Sequence, residues 1–308
     1  MATSVTKKGL VAVSDKVILA ARPALELIKH ITTDFSTEKG EKYNTINVKV
    51  LSATSADWAR GTQNYVTATN KIDWADVVLN KHKKSTYGLS DLDCLEDEMD
   101  GVWAKFGPKA GQALSKDIIS AVTGLLTTSA ADKSVETGIA TLADFSAIRS
   151  KVEAEGYDPA DCTLMLKPDV YDALIALLPN GVVGNGAVID SGIVGARLGF
   201  KGIINAPTCT FGDKGVGFVV PTDSIAIAGR YVKPVRTGGN LIESGEVTDE
   251  ETGLVMGQRV VVDPGNGEIY WTLETLFGVA LTKQTRESKA NGAPGFLALA
   301  TAAAAAAA

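Results

Sequence analysis

The segment Asn44–Asn80, NTINVKVLSATSADWARGTQNYVTATNKIDWADVVLN, has two apolar ends separated by a polar middle. In the first end, Ile46, Val48 and Val50 alternate with polar residues, which is the period of a strand with one buried face. The other end, residues 71–79, is apolar again. The pattern predicts a long hairpin. An isolated two-stranded hairpin is marginal in water, so this one needs another surface to lie against.

The polar middle of the hairpin, Ser52–Asn70, carries three large side chains, Trp58, Arg60 and Tyr65. Trp58 and Tyr65 have two interpretations, as buried core residues or as part of a contact surface. Their polar neighbours favour the contact surface, because aromatic residues and arginine are enriched at protein interfaces. We therefore predict that these three residues contact another subunit.

Composition and charge exclude several classes of protein. The chain has 308 residues, is 45% hydrophobic and carries a net charge of −6, which is not the charge of a basic nucleic-acid reader. Its cysteines, Cys94, Cys162 and Cys209, are widely spaced and form no CxxC pair, so neither a disulfide framework nor a zinc site is expected. The N-terminal residues resemble no signal peptide, and we expect no membrane span. The seven C-terminal alanines point to no function.

Helix signals follow the hairpin. Ser90 precedes several acids, which is typical of a helix start. Gly107-Pro108 interrupts the pattern, so a separate helix is predicted from Pro108 to Leu126. Further helices are predicted over residues 141–155 and from Pro168 onwards.

The remaining segments carry strand signals and helix signals without a regular alternation of the two. Residues 163–166 predict a strand, several apolar segments bounded by glycines follow residue 200, and Gly265-Asn266-Gly267 predicts a hairpin turn. No internal repeat and no regular βαβ alternation is present. The chain is therefore predicted to have an α+β fold.

A glycine-rich stretch, Leu178–Phe200, invites comparison with phosphate-binding loops. Gly184 and Gly186 begin a GxGxxG pattern, but Ile189 occupies the third glycine position, and a helix rather than a strand precedes the stretch. No GK[ST] sequence completes a P-loop. The sequence thus predicts no nucleotide cofactor here.

Other catalytic and metal motifs are equally absent from the sequence. His30 and His82 are the only histidines, and neither HExxH nor GxSxG occurs. The acidic stretch at residues 90–101 lacks the ligand spacing of a calcium loop. We predict no catalytic residues, no cofactor and no metal.

The order of these parts resembles the major capsid protein of tailed bacteriophages, which has the Hong Kong 97 fold. In that family an N-terminal arm precedes an extended hairpin, the E-loop, to which Asn44–Asn80 is similar. A long spine helix follows, matched by KAGQALSKDIISAVTGLL (residues 109–126), and then the axial domain. The segments GRYVKPVR (229–236) and GQRVVVDPGNGEIYWTLETLFGVALTK (257–283) resemble the closing strands of the peripheral domain.

This resemblance implies a division of the chain into five parts. They are the N-terminal arm at 1–40, the E-loop hairpin at 41–80, the peripheral domain at 81–140 and 230–285, the axial domain at 141–229 and the C-terminal tail at 286–308. The glycine stretch then becomes an axial-domain loop, in which Gly181, Gly184 and Gly186 permit tight turns. The segment GARLGFKGIINAP (195–207) would lead into a central strand.

The resemblance also implies a function and its partners. The protein would self-assemble through pentamers and hexamers into an icosahedral shell around double-stranded DNA, held without sequence specificity. A separate scaffolding protein, a portal and possible cement or decoration proteins are implied, with assembly in the bacterial host cytoplasm and a final location in the virion capsid. The acidic residues Glu243, Glu246 and Asp249 are predicted to accept the hairpin tip of a neighbouring subunit.

One feature separates this chain from part of the family, and two alternative functions stay open. Ser52–Asn70 contains no lysine, and its nearest lysines are Lys49 and Lys71, so isopeptide cross-linking between subunits is not expected. An encapsulin, which is a bacterial nanocompartment shell with the same fold, is one alternative. An enzyme with an unrecognised site is the other.

Overall fold

The computed structural model describes residues 17–21, 26–52, 71–90, 99–126, 133–137, 142–154, 157–177, 198–206, 215–232, 240–282 and 297–301. The hairpin tip with Trp58, Arg60 and Tyr65, and the glycine loop with Gly181, Gly184 and Gly186, lie outside these residues. The predictions made for those six residues therefore stay predictions.

The described chain contains thirteen strands and three longer helices. The helices are α1 (Met99–Thr123), α2 (Leu142–Ala154) and α3 (Pro168–Leu177). The strands are β1 (Thr32–Lys39), β2 (Thr45–Ser52), β3 (Lys71–Val78), β4 (Lys81–Ser90), β5 (Lys133–Thr137), β6 (Cys162–Leu166), β7 (Gly202–Asn205), β8 (Gly215–Pro221), β9 (Ile225–Tyr231), β10 (Leu241–Thr248), β11 (Val255–Asp263), β12 (Glu268–Leu281) and β13 (Leu297–Thr301). The mixture confirms the predicted α+β class.

The larger sheet has six strands built around β12. Its order is β1-β9-β12-β11-β10, and β4 pairs with β12 as well. The 14-residue β12 pairs antiparallel with β4 along residues 268–277, with β11 along 268–274 and with β9 along 276–281. One long strand thus joins chain segments that are far apart in sequence.

One face of this sheet packs on α1. The helix turns a stripe of four fully buried residues inward, and these belong to the same core as buried side chains of β12. They are Ala110, Leu114, Ile118 and Val122 on the helix and Trp271, Leu273 and Phe277 on the strand. Apolar residues at this spacing give a helix one buried face.

The predicted break at Pro108 is wrong. Helix α1 begins at Met99 and continues through Pro108 to Thr123. A proline inside a helix removes one backbone hydrogen bond and crowds the preceding turn. Residues on both sides of the proline, Phe106 and Ala110, pack against the same core, and this packing opposes the local penalty.

The second sheet has five strands in the order β5-β13-β8-β6-β7. Helix α2, predicted over residues 141–155, packs Phe145, Ile148 and Val152 into a core with buried residues of β6 and β8. Two expectations fail here. Strand β7 is at the end of the described sheet rather than in its centre, and residues 297–301, expected in a tail, form β13 between β5 and β8.

The predicted N-terminal arm is largely integrated into the fold in its described part. Strand β1 pairs parallel with β9, and Leu27, Ile28 and Ile31 belong to the main core. His30 packs so closely on Gly202 of β7 that a Cβ there would lie 2.4 Å from the imidazole Cε1. The segment before β1 thus contacts both sheets.

Candidate assembly surface

The hairpin formed by β2 and β3, here called the hairpin base, confirms the alternation predicted from the sequence. The two strands pair antiparallel in a continuous register from Thr45 opposite Val78 to Ser52 opposite Lys71. Alternate residues are buried on one face and exposed on the other, as the period of two requires.

The inner face of the hairpin base lies on the larger sheet. Five of its residues are buried and form a small core with three residues of β9 and β12. They are Val48, Val50, Ala75, Val77 and Leu79 on the hairpin side and Ala226, Ala228 and Leu276 on the sheet. The described strands therefore have a partner within their own chain, which answers the need for a supporting surface.

The approach of hairpin and sheet is closest at Gly278 of β12. A Cβ at this position would lie 2.1 Å from the carbonyl oxygen of Val78 and 3.0 Å from Cγ1 of Val77. Backbone atoms cannot yield at such a distance, so the position needs a residue without a side chain.

The outer face of the hairpin base carries exposed aromatic and cationic side chains. Trp74 is 41% exposed, and Lys49 Nζ lies 5.3 Å from its ring centroid, within the range of a cation–π contact. Tyr43, just before β2, is 68% exposed and has a left-handed φ of 73°. Exposed aromatic residues next to a cation are typical of protein interfaces.

Strand β10 is the second part of the candidate surface. Within the described residues it pairs only with β11, so its other edge presents unpaired backbone groups. Ile242 on this strand is 47% exposed, and Glu246 is exposed, whereas Glu243 is half-buried. The edge thus combines hydrogen-bonding capacity with negative charge.

Asp249, the third predicted acceptor, has another role in its own turn. It is nearly buried, and its Oδ2 accepts hydrogen bonds from the backbone N–H of Thr252 at 2.7 Å and from the hydroxyl of Thr252 at 2.6 Å. The neighbouring Glu251 pairs with Lys29 at 2.7 Å. The structure thus places Glu243 and Glu246 on the same strand but on opposite faces of the sheet, and it engages Asp249 internally.

Sequence reasoning missed a buried charge cluster in the larger sheet. The carboxylate of Glu274 is only 4% exposed, accepts a hydrogen bond from Arg259 and has Oε2 3.0 Å from His82 Nε2. Nearby Tyr231 has a raised pKa, chiefly because it is buried and secondly because of the negative charges of Glu246 and Glu274. The cluster ties β4, β11 and β12 together.

The sequence carries little signal for this cluster. His82 stands in the basic run NKHKKS, and residues 82–84 are exposed in the structure even though the His82 ring reaches Glu274. Strand alternation would have placed His82 and Lys84 on one face and Lys81 and Lys83 on the other. Only the pairing of β4 with β12 places His82 beside Glu274.

The described residues offer no group of three or more His, Cys, Asp or Glu side chains that could hold a metal ion. Burial raises the pKa of the Cys162 thiol to about 12, so it is protonated at neutral pH. None of the described helices is both long enough and apolar enough to cross a bilayer.

Comparison with known proteins gives the fold. No protein-family model matches the chain, and no curated protein matches its sequence. Among solved structures, a chain of the Mycobacterium phage Adephagia structure is similar with a TM-score of 0.50 and 15% identity, over 90% of both chains. The chain has a phage capsid fold.

Other solved structures align over similar lengths with lower scores. One is the asymmetric unit of the bacteriophage PhiM1 mature capsid, with a TM-score of 0.46, 11% identity and coverage of 88% of this chain and 85% of that one. Another is the virus-like particle from Pyrococcus furiosus, with a TM-score of 0.48, 12% identity and coverage of 92% and 96%.

Proposed function

We propose that this protein is a major capsid protein that self-assembles into the icosahedral shell of a tailed phage. The observation that carries the proposal is the phage capsid fold, which extends over nine-tenths of the chain. The role is structural, and the shell encloses double-stranded DNA. A scaffolding protein, a portal and cement or decoration proteins belong to the same proposal, as does assembly in the host cytoplasm.

The surface chemistry supports self-assembly. The hairpin base presents Trp74 and Lys49 outward, and β10 presents Glu246 beside an unpaired backbone edge. The exposed pair of Trp74 and Lys49 on one copy offers an aromatic ring and a cation to the Glu246 carboxylate of another copy. Symmetry repeats such a contact around each ring of subunits, so contacts that are weak one by one add up to a stable shell.

The predicted hairpin tip extends this contact. Trp58 and Arg60 are proposed to contact the neighbouring subunit near Glu243 and Glu246. An indole and a guanidinium are side chains that often contribute most of the binding energy at an interface. The internal hydrogen bonds of Asp249 make it the weakest member of the predicted acceptor set.

Negative-stain electron microscopy of the purified protein, alone and with its scaffolding protein, tests the proposal. We expect rings or closed shells of uniform diameter. A folded 32 kDa monomer over a wide concentration range under both conditions would contradict it. Shells from infected or expressing cells that hold an enzyme rather than double-stranded DNA would identify an encapsulin-type compartment instead.

A further inference from the structure

Helix α1 carries an exposed ridge of lysines on the side opposite its buried stripe. Lys105, Lys109 and Lys116 are all exposed, whereas Ala110 and Leu114 are buried in the main core. At about 100° per residue, the three lysines project within about 40° of one another and almost diametrically away from the core. We call these three residues the lysine ridge.

The lysine ridge has no structural partner among the described residues. None of the ion pairs in the described part of the chain includes any of the three lysines. The nearby acid on the helix, Asp117, is paired with Lys83 of β4 at 3.3 Å. Like charges four residues apart destabilise a helix slightly, so the pair Lys105 and Lys109 does not serve helix stability.

The ridge stands out because the whole chain is acidic, with 30 basic and 36 acidic residues. A polyanion is repelled by such a protein in general and attracted only where positive charge is concentrated. An exposed cationic ridge is therefore a place where an otherwise acidic subunit can approach a polyanion.

The chemistry of the ridge fits a nucleic-acid backbone. The exposed residues between the lysines, Gln112 and Ala113, are neutral and small enough to let a phosphate chain come close. Lysine acts as a point charge on phosphate, while the described ridge offers no arginine fork and no aromatic ring for base stacking. This composition favours duplex backbone over single-stranded bases.

The spacing of the ridge requires no particular register on the duplex. With a rise of about 1.5 Å per residue, Lys105 and Lys116 are about 16 Å apart along the helix. A duplex carries one phosphate charge per about 1.7 Å of its axis, so a ridge of this length lies in the field of several phosphates, none of which carries sequence information. Binding without sequence preference follows.

We propose that the lysine ridge of α1 contacts backbone phosphates of double-stranded DNA. This inference rests on the proposed function, in which the protein forms a shell around a DNA genome, and it assigns the DNA-facing surface to one helix. The contact is electrostatic and independent of sequence.

The test measures binding of the full-length subunit to a 30-base-pair duplex by fluorescence anisotropy, between 50 and 200 mM salt. Each phosphate contact contributes about 0.9 to the slope of log affinity against log salt concentration. The variant K105Q/K109Q/K116Q should therefore lose about 2.7 from this slope. Between the two salt concentrations, the wild type should lose about 40-fold more affinity than the variant.

Two matched variants separate the ridge from general charge. The variant K42Q/K151Q/K201Q removes the same charge from exposed lysines elsewhere and should keep the wild-type slope. The variant K105R/K109R/K116R keeps the charge of the ridge and should also keep the slope. An equal loss of slope in both glutamine variants would overturn the inference, as would absence of duplex binding at every salt concentration.

Two further measurements separate a DNA contact from an acidic protein partner and from a failure of assembly. If poly-glutamate binds through the ridge while the duplex does not, the partner is an acidic protein segment and the inference is wrong. Shell formation is followed for each variant by electron microscopy. Intact shells combined with an unchanged salt slope would overturn only the DNA contact, whereas failure of the wild type to form shells would overturn the proposed function.

Discussion

Gly278 offers the sharpest test of how the hairpin base is held. Replacing it with alanine places a Cβ 2.1 Å from the carbonyl oxygen of Val78, where ordinary contact begins at 3.4 Å. The hairpin must therefore move by about 1.3 Å or the sheet must distort. Overpacking lowers the free energy of unfolding by about 1–3 kcal/mol. We expect a value near the upper limit because the clashing atom, the carbonyl oxygen of Val78, belongs to the backbone.

The expected net effect includes a smaller opposite contribution. Glycine-to-alanine changes stabilise by about 0.4–1 kcal/mol through the unfolded chain. We therefore expect G278A to lower the free energy of unfolding by about 2 kcal/mol. Urea denaturation of the unassembled subunit measures this, and limited proteolysis should show faster cleavage within the hairpin.

A matched glycine in the same sheet provides the control. A Cβ at Gly245 of β10 would lie 3.3 Å from Nε2 of Gln258, a side-chain contact that an adjustment of a few tenths of an ångström relieves. G245A should stay within about 0.5 kcal/mol of the wild type or be slightly more stable. If G278A is as stable as G245A, the hairpin base is not docked as described.

Three further predictions concern assembly and the buried charge cluster. Because Ser52–Asn70 contains no lysine, mature particles boiled in denaturant should run as one band near 32 kDa, and a reductant-resistant ladder would refute this. The variant W58A/R60A should leave the subunit folded but lower shell yield and shell melting temperature, the Arg60 part being more sensitive to salt; unchanged yield and melting would exclude the tip as an interface. E274Q should lower the free energy of unfolding, measured by urea denaturation, by about 1–3 kcal/mol. This is less than the usual cost of breaking a fully buried pair, because the partners of Glu274 are partly exposed. The edge variant E243Q should change the free energy of unfolding by less than about 0.5 kcal/mol.

Local patterns in the sequence predicted the elements whose signals are local. The alternation around Val48 corresponds to observed burial, and the helix predicted over residues 141–155 corresponds to α2. The glycine turn before β12 is also present, with Gly267 at a φ of 65°. Each of these signals depends on neighbours within a few residues along the chain.

Features that depend on distant parts of the chain were missed. The continuity of α1 through Pro108 depends on core packing that outweighs one lost hydrogen bond. The place of residues 297–301 in the second sheet is set by pairing with β5 and β8. The pairing of Glu274 with His82 joins strands 192 residues apart, and no local pattern gives that register.

The two faces of the hairpin base connect folding with assembly. Val48 and Val50 point into the small core, whereas Lys49, between them, points outward with Trp74. Because side chains alternate, a slip of one residue would bury Lys49 and expose both valines. The contacts that hold the hairpin on its own sheet therefore also decide which side chains a second subunit can meet. The outward face of the hairpin is therefore displayed only when the core of the chain is correctly formed.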